Sequence, residues 1–303
     1  MKIGIDLGGS HIGIGIIEGV ELKEKIDKFF TAEDKKNIEN VIPRYIYELA
    51  HELLEKTGLK LDDIISIGVA CPGTVANGKV TSWNLGLKEY DLKSRIEEMF
   101  NKPVIVRNDG KCAALVEKKY GAMKDYEDCV FVNIGTGLGG AAFLGGKLLE
   151  PKKYSGFEFG HMTLVKDGIE CTCGKKGCFE RYASMKVFKN NLRKALGLDE
   201  TTRGEELLKI IRDIKPGDKN YEVIQNTIES FIDNLSIGIV NLINIFEPQV
   251  IGIGGSFVHF EDIFLDRLRK KVNGQTQGKS GREDFVIRTA VLGNDAGIIG
   301  AIL

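Results

Sequence analysis

The feature that most limits how this chain can fold is a pattern that occurs twice. Lys2–Leu7 and Ile12–Ile17 read as short apolar strands joined by Gly8-Gly9-Ser10-His11, and Cys129–Ile134 and Ala141–Leu144 repeat the arrangement around Gly135-Thr136-Gly137-Leu138-Gly139-Gly140. A helix is expected directly after the first hairpin: from Ile38 the apolar positions Val41, Ile42, Tyr45, Ile46, Leu49 and Leu53 recur every three or four residues, and Gly58 ends the run. Ile64–Ala70 is a buried strand stopped by Pro72-Gly73, and Val104–Val106 is another that stops at Asn108-Asp109, before a helix over Cys112–Tyr120. A long helix runs from Ile228 to Phe246 and is closed by Pro248, a strand over Val250–Ile253 ends in Gly254-Gly255-Ser256, and a last strand, Phe285–Val291, precedes a helix from Asp295. Strands and helices alternate throughout, so the class is α/β.

With 303 residues, 43% hydrophobic and 28% charged, the chain is long enough for two lobes and far from the composition of disorder. Lys and Arg total 42 against 43 Asp and Glu, a formal charge of -1, so no overall field favours nucleic acid or anionic lipid. The opening Met-Lys-Ile-Gly-Ile-Asp lacks the apolar stretch of a signal peptide, and even Leu235–Phe246 is interrupted by Ser236, Asn241 and Asn244, well short of the roughly 20 apolar residues that cross a bilayer. A cytoplasmic protein acting on small molecules, with no membrane or nucleic-acid partner, is the expectation. The basic residues of Asp266–Asp284 read as a solvated helix face and loop.

Glycine-rich turns between strands suit a phosphate chain, because close approach of backbone N–H groups needs residues without Cβ, often at positive φ. The alternative is simple turn chemistry, but two copies plus Gly254-Gly255 favour phosphate binding by Gly8, Gly9, Ser10, Gly135, Thr136, Gly137, Gly254 and Gly255. Neither the GxGxxG of a Rossmann site nor the GxxxxGK[ST] of a P-loop is present. Asp6, just before the first turn, either caps it or faces the phosphates and holds Mg2+ through water. Asp109, at the end of a buried strand, is placed for helix capping, for service as a general base, or for both.

The strongest local signal is His161 followed by Cys171, Cys173 and Cys178. Three thiolates and an imidazole complete a tetrahedral Zn2+ site with no open position, hence a structural one. The spacing is CxC and Cx4C with no CxxC, which disfavours redox chemistry, and the scattered Cys71, Cys112 and Cys129 read as buried apolar residues. Glu158 and Glu180 flank the cluster; each alone could be a surface charge, but together they suit acceptance of sugar hydroxyl hydrogens.

Asp6-Leu7-Gly8-Gly9, Asn108-Asp109, Gly135-Thr136-Gly137, Glu158-Phe159-Gly160-His161 and the CxCGxxGCxE run from Cys171 to Glu180 together resemble the ROK family of sugar kinases and sugar-responsive repressors, within the actin and hexokinase superfamily. The resemblance implies an actin-like, ribonuclease H-like duplicated fold of two lobes with a central cleft, ATP and Mg2+ as cofactors beside the structural Zn2+, and a homodimer or dimer of dimers. It implies lobes over 1–120, completed by a helix over 292–303, and over 121–291. It makes Asp109 the catalytic base and assigns sugar binding to Gly73, Asn84, Asn108, Glu158, His161 and Glu180, with His161 serving both zinc and sugar. Two stretches depart from the family pattern: Gly-Gly-Ser-His replaces Gly-Gly-Thr-Lys at 8–11, and Gly110-Lys111-Cys112 replaces the small residues common after Asn-Asp.

The function implied is phosphorylation of the 6-hydroxyl of a hexose by ATP, glucose first, N-acetylmannosamine second and fructose third. A sugar-responsive regulator without catalysis is the rival of another class. Family repressors carry a helix-turn-helix ahead of the sugar lobe, whereas this sequence begins on the first strand, which disfavours DNA binding. An actin-like chaperone would lack the cysteine loop with its flanking glutamates.

Overall fold

A computed structural model describes residues 1–151, 157–276 and 285–303. In the first part of the chain the order is β1 (Lys2–Leu7), β2 (His11–Glu18), β3 (Glu21–Phe29), α1 (Ile38–Thr57), β4 (Ser66–Cys71), β5 (Thr74–Ala76), β6 (Lys79–Ser82), β7 (Leu87–Asp91), α2 (Leu92–Phe100), β8 (Val104–Asn108) and α3 (Asp109–Tyr120). The second part holds β9 (Cys129–Ile134), β10 (Leu138–Leu144), β11 (Lys147–Leu148), α4 (Glu180–Ala183), α5 (Met185–Leu196), α6 (Gly204–Asp213), α7 (Tyr221–Phe246), β12 (Val250–Gly254), α8 (Glu261–Thr276), β13 (Val286–Thr289) and α9 (Ala296–Ala301). Two compact units result: Met1–Lys124 with Val291–Leu303 form unit 1, and Asp125–Leu149 with Phe157–Ala290 form unit 2.

The sequence repeat is a repeat of topology. The unit 1 sheet is ordered β3-β2-β1-β4-β8 and the unit 2 sheet β11-β10-β9-β12-β13. In each, an antiparallel hairpin (β1 with β2, β9 with β10) is followed on the other side by two parallel strands. Each sheet has its own apolar core. In unit 1 it joins Ile3, Ile5, Ile14 and Val69 to Ile42, Ile46 and Leu53 of α1, as the helical spacing requires. In unit 2, Val130, Val132 and Ile251 pack with Ile228, Phe231, Leu235 and Ile239 of α7.

Glycines at the centre of the first sheet explain how α9 seats there. A Cβ on Gly4 would fall 2.2 Å from the Ile298 carbonyl oxygen, and one on Gly68 would fall 2.0 Å from that of Ala301, so the C-terminal helix lies with its backbone against the strands.

The structure differs from the sequence reading in four places. A strand, β3, follows the first hairpin ahead of the expected helix; its outward residues are Glu21, Lys23, Lys25 and Asp27, the charges of a protected edge strand that hide an apolar period. A further sheet, β5-β6-β7, occupies 74–91, where the short strands carry little apolar pattern. Helix α3 begins at Asp109, three residues earlier than expected. Finally, α7 covers 26 residues and is by length and composition able to cross a bilayer, contrary to the expected absence of such a segment, but half of its most apolar stretch is buried inside the fold. Of the basic segment Asp266–Asp284, residues 266–276 lie in α8, whereas 277–284 lie outside the described residues.

Candidate active site

Unit 1 brings together Asp6, the Gly8–Ser10 turn, Gly73, Asn84, Asn108 and Asp109. The turn is closed by the Gly8 N–H donating to the His11 carbonyl at 2.9 Å, which leaves Gly9 and Ser10 exposed at its tip. Asn84 stands over it, its Cβ 3.9 Å from where a side chain on Gly9 would begin. The Asn108 side chain works in both directions: its oxygen accepts the Lys111 N–H at 3.2 Å, capping α3, and its Nδ2 donates to the Gly73 carbonyl at 2.9 Å. An amide has two donors and two lone pairs, so half of its capacity remains for a ligand. Gly73 has φ +96, and a Cβ there would meet the Thr81 carbonyl oxygen at 2.3 Å.

The capping role thus falls to Asn108, and Asp109 is the first helical residue, its Oδ1 accepting the Gly110 N–H at 2.7 Å. Asp6 feels it: burial first, then the charges of Asp109 and Asp27, push the Asp6 carboxyl up to about 7. Two carboxylates that repel each other in a largely desolvated place are a setting that a divalent cation relieves, so the pair fits Mg2+. The nearby thiols are inert, since burial and then the charge of Asp109 push Cys71 far up, and Cys112 is fully buried.

Unit 2 gathers the metal ligands. One nitrogen or sulfur from each of His161, Cys171, Cys173 and Cys178 lies within 4.8 Å of the others. Cys171 Sγ is 3.7 Å from His161 Nδ1, and Cys173 Sγ is 3.6 Å from Cys178 Sγ. A tetrahedron with metal bonds of zinc length has edges of roughly 3.5–3.8 Å, so these separations fit the ion. Burial first, then hydrogen bonds with the other two thiols, pushes the Cys178 thiol up to about 12; a bound cation is what would hold the sulfurs as thiolates.

The loop folds back because Gly177, at φ +76, lies so close to Val165 that a Cβ would fall 1.7 Å from its carbonyl oxygen. It is held down by Phe179, whose ring occupies the place of a side chain on Gly238 of α7. Nδ1 of His161 faces the sulfurs, which leaves Nε2 for a second partner.

Glu180 links the metal loop to the second glycine turn. Its Oε1 accepts the Cys171 thiol at 3.4 Å, and its Oε2 accepts the Leu138 N–H at 3.4 Å, beside Gly137. Glu158 is exposed and precedes the 3-10 turn Phe159–His161, with the His161 N–H donating to its carbonyl at 3.0 Å. Gly254-Gly255 packs on the end of β9, where a Cβ on Gly255 would meet the Ile134 carbonyl oxygen at 2.6 Å. The Gly135–Gly137 and Gly254–Gly255 turns are therefore neighbours. Of the glycines in these turns only Gly255, at φ +74, takes positive φ; at Gly8, Gly9, Gly135 and Gly137 the expected backbone conformation is not used.

Several supporting residues were not found by sequence reasoning. Gly160 lets the His161 turn touch β10, since a Cβ would fall 2.0 Å from the Leu138 carbonyl oxygen. The Tyr182 hydroxyl accepts the Ile169 N–H at 2.7 Å, and Lys175 Nζ donates to the His161 carbonyl at 2.8 Å, bracing the metal loop. Gly238 inside an apolar helical run was the one available signal, because a glycine in that setting marks close packing.

The chain is 28% identical to a xylose repressor of Bacillus subtilis, over 99% of this chain and 75% of the repressor. It is 27% identical to a glucokinase of Streptomyces coelicolor, over 99% of this chain and 96% of that one. Among solved structures, a ROK family glucokinase from Streptomyces griseus in complex with glucose and AMPPNP superposes with a TM-score of 0.82 at 26% identity, covering 99% of this chain and 97% of that one. The fold is accordingly the duplicated actin-like α/β class. The ROK family model matches residues 2–303, and the chain belongs to the ROK family.

Proposed function

We propose that this protein is a cytoplasmic ATP-dependent hexokinase that transfers the γ-phosphoryl group of ATP to the 6-hydroxyl of a hexose, glucose first, with N-acetylmannosamine and fructose as alternative substrates. What supports catalysis, beyond sugar binding, is the place of Asp109: it opens α3 directly after the capping Asn108, its Oδ1 is held by the Gly110 N–H at 2.7 Å, and its charge helps raise the pKa of the buried Asp6, whereas a sensor of sugar needs no base. Asp109 accepts the proton of the attacking hydroxyl as the bond to the γ-phosphorus forms, and ADP leaves. Its Oδ1 is oriented by the Gly110 N–H. The Gly8 and Gly135 N–H groups close their own turns on the His11 and Gly137 carbonyls, which leaves the N–H groups of Gly9 and Ser10 in unit 1, and separately those of Thr136 and Gly137 and the Gly254–Gly255 turn in unit 2, as candidates for phosphate oxygens. Mg2+, when bound through water at Asp6, neutralises phosphate charge. Glu158, Glu180 and His161 Nε2 accept hydroxyl hydrogens of the sugar, and the remaining Asn108 N–H donates to it. Zn2+ in the four-ligand cluster takes no part in the chemistry; it fixes the imidazole and the two glutamates.

The test is a coupled assay of ADP release over a panel of hexoses and N-acetylhexosamines. Sugar-stimulated turnover, highest with glucose, supports the reading. The similarity to a xylose repressor favours a second one, a sugar-responsive regulator. Sugar binding with no stimulated ADP release from any member of the panel would establish that alternative.

A further inference from the structure

Among the described residues of unit 1, Glu117 is the most deeply buried carboxylate that the proposed chemistry leaves unused, and its partners are unusual. It is 1% exposed and sits near the C-terminal end of α3. Its Oε1 accepts the N–H groups of Val291 at 2.9 Å and Leu292 at 2.8 Å, and its Oε2 accepts that of Ala122 at 2.8 Å. Its own carbonyl accepts the N–H of Met123 at 3.1 Å. The first stretch of unit 1 ends at Lys124 and its last begins at Val291, so one side chain grips the end of the one and the start of the other. Gly121 makes room for the grip, since a Cβ there would fall 2.0 Å from Oε2. Three N–H donors on two anionic oxygens form charge-assisted bonds, stronger than those to a neutral acceptor.

These contacts belong to a closed ring within unit 1. Leu292 leads into α9, where a Cβ on Gly297 would meet Asp6 Oδ2 at 2.5 Å; farther along α9, a Cβ on Gly300 would meet the Cys112 carbonyl oxygen of α3 at 2.1 Å. Helix α3 returns from Cys112 to Glu117 and carries Asp109 as its first residue. Eight residues of helix separate Asp109 from Glu117, about 12 Å, too far for Glu117 to touch a reacting group held by Asp109.

We infer that Glu117 is a positioning residue for the proposed phosphoryl transfer: by clasping residues 122 and 291–292 it sets where α3, and with it Asp109, stands relative to α9 and Asp6. The inference rests on the hexokinase reading for its catalytic consequence, and on geometry alone for the clasp.

The test uses Glu117→Gln, which keeps the shape but turns one acceptor into a donor facing an N–H. Amide hydrogen exchange should accelerate about tenfold or more at Ala122, Val291 and Leu292, as loss of a charge-assisted bond requires. The change should also reach Lys111, whose N–H Asn108 caps beside Asp109. In the same variant kcat should fall about tenfold with the KM values for ATP and sugar within about twofold, because a displaced base slows chemistry without weakening binding. Unchanged exchange at the three clasped amides overturns the clasp. Faster exchange there, with Lys111 and kcat both unaltered, reduces Glu117 to a structural role and overturns the inference. A wild-type protein without turnover sinks the hexokinase reading, and the exchange at Lys111 still decides the positioning. Should Glu117→Gln fail to fold, Gly121→Ala displaces Oε2 sterically and is read the same way.

Discussion

The two glycine hairpins share a sequence pattern and a place in their sheets, yet they stand in different company. The first, at Gly8–Ser10, is closed by the Gly8 N–H on the His11 carbonyl and held at its tip by the Phe30 N–H on the Ser10 carbonyl at 2.8 Å, and it follows Asp6, raised in pKa by burial and by Asp109. The second, at Gly135–Gly137, is braced from three sides. Glu180 Oε2 takes the Leu138 N–H, the Gly135 carbonyl takes the Lys186 N–H at 3.3 Å, and Gly255 backs onto Ile134. The same backbone device thus follows a buried carboxylate in unit 1 and adjoins a four-residue His/Cys cluster that could hold a metal in unit 2. On the proposed function, substitution of Asp109 in unit 1 should act on turnover, and loss of the cluster in unit 2 on sugar binding.

The sharpest way to break that division is Asp109→Asn. General-base assistance is worth about 10² to 10⁴ in rate, so kcat should drop by at least the lower figure while the unfolding temperature stays put; near-normal turnover would remove Asp109 from the mechanism. Next in size is the pH behaviour of Asp6. Its folded-state pKa of about 7 lies above the ordinary aspartate value, so the folded state binds the extra proton, and stability falls as pH rises from about 4 to about 7. At pH 8 Asp6→Asn should raise stability by about 2 kcal/mol or more, an advantage that vanishes at pH 4; a pH-independent difference in urea midpoints contradicts the burial and repulsion argued for this side chain.

In unit 2, Cys173→Ser should cost one zinc per chain and raise the sugar KM about 10- to 100-fold, the usual effect of disturbing groups that orient a site, with a smaller change in kcat. Full zinc content in that variant would show that the cluster does not need its fourth ligand. Smallest is a paired comparison of glycines. Gly160→Ala drives a Cβ into the Leu138 carbonyl and should destabilise by about 1–3 kcal/mol. Gly9→Ala meets nothing nearer than 3.9 Å and should stay within about 1 kcal/mol by thermal unfolding. Equal losses would erase the contrast between the packed Phe159–His161 turn and the tip of the first hairpin.

What could be read from the sequence follows the range of the interactions involved. The hairpins and α1 were legible because burial imposes periods of two and of three to four on neighbouring residues. The metal cluster was legible for a similar reason: three of its four ligands lie within eight residues, and the fourth, His161, lies ten residues ahead of Cys171. Strand β3 was hidden because an exposed edge selects lysine and glutamate over apolar residues. Asp109 looked like a helix cap until the structure gave that role to Asn108, and its separate service as a base came from family resemblance and not from spacing. Glu117 could not be found at all, since the donors it holds on α9's approach are 174 and 175 residues away in sequence and are backbone groups that any residue would offer.

The central proposal is that Asp109 of unit 1 serves the chemical step while the four-ligand cluster of unit 2 supports sugar binding. Calorimetric titration of glucose, without nucleotide, into Asp109→Asn and into protein stripped of zinc tests it most directly. The account predicts wild-type affinity within about twofold for Asp109→Asn, and an affinity weakened about tenfold or more for the stripped protein, restored on adding Zn2+. Undiminished glucose binding after zinc removal, or its loss in Asp109→Asn, would contradict it.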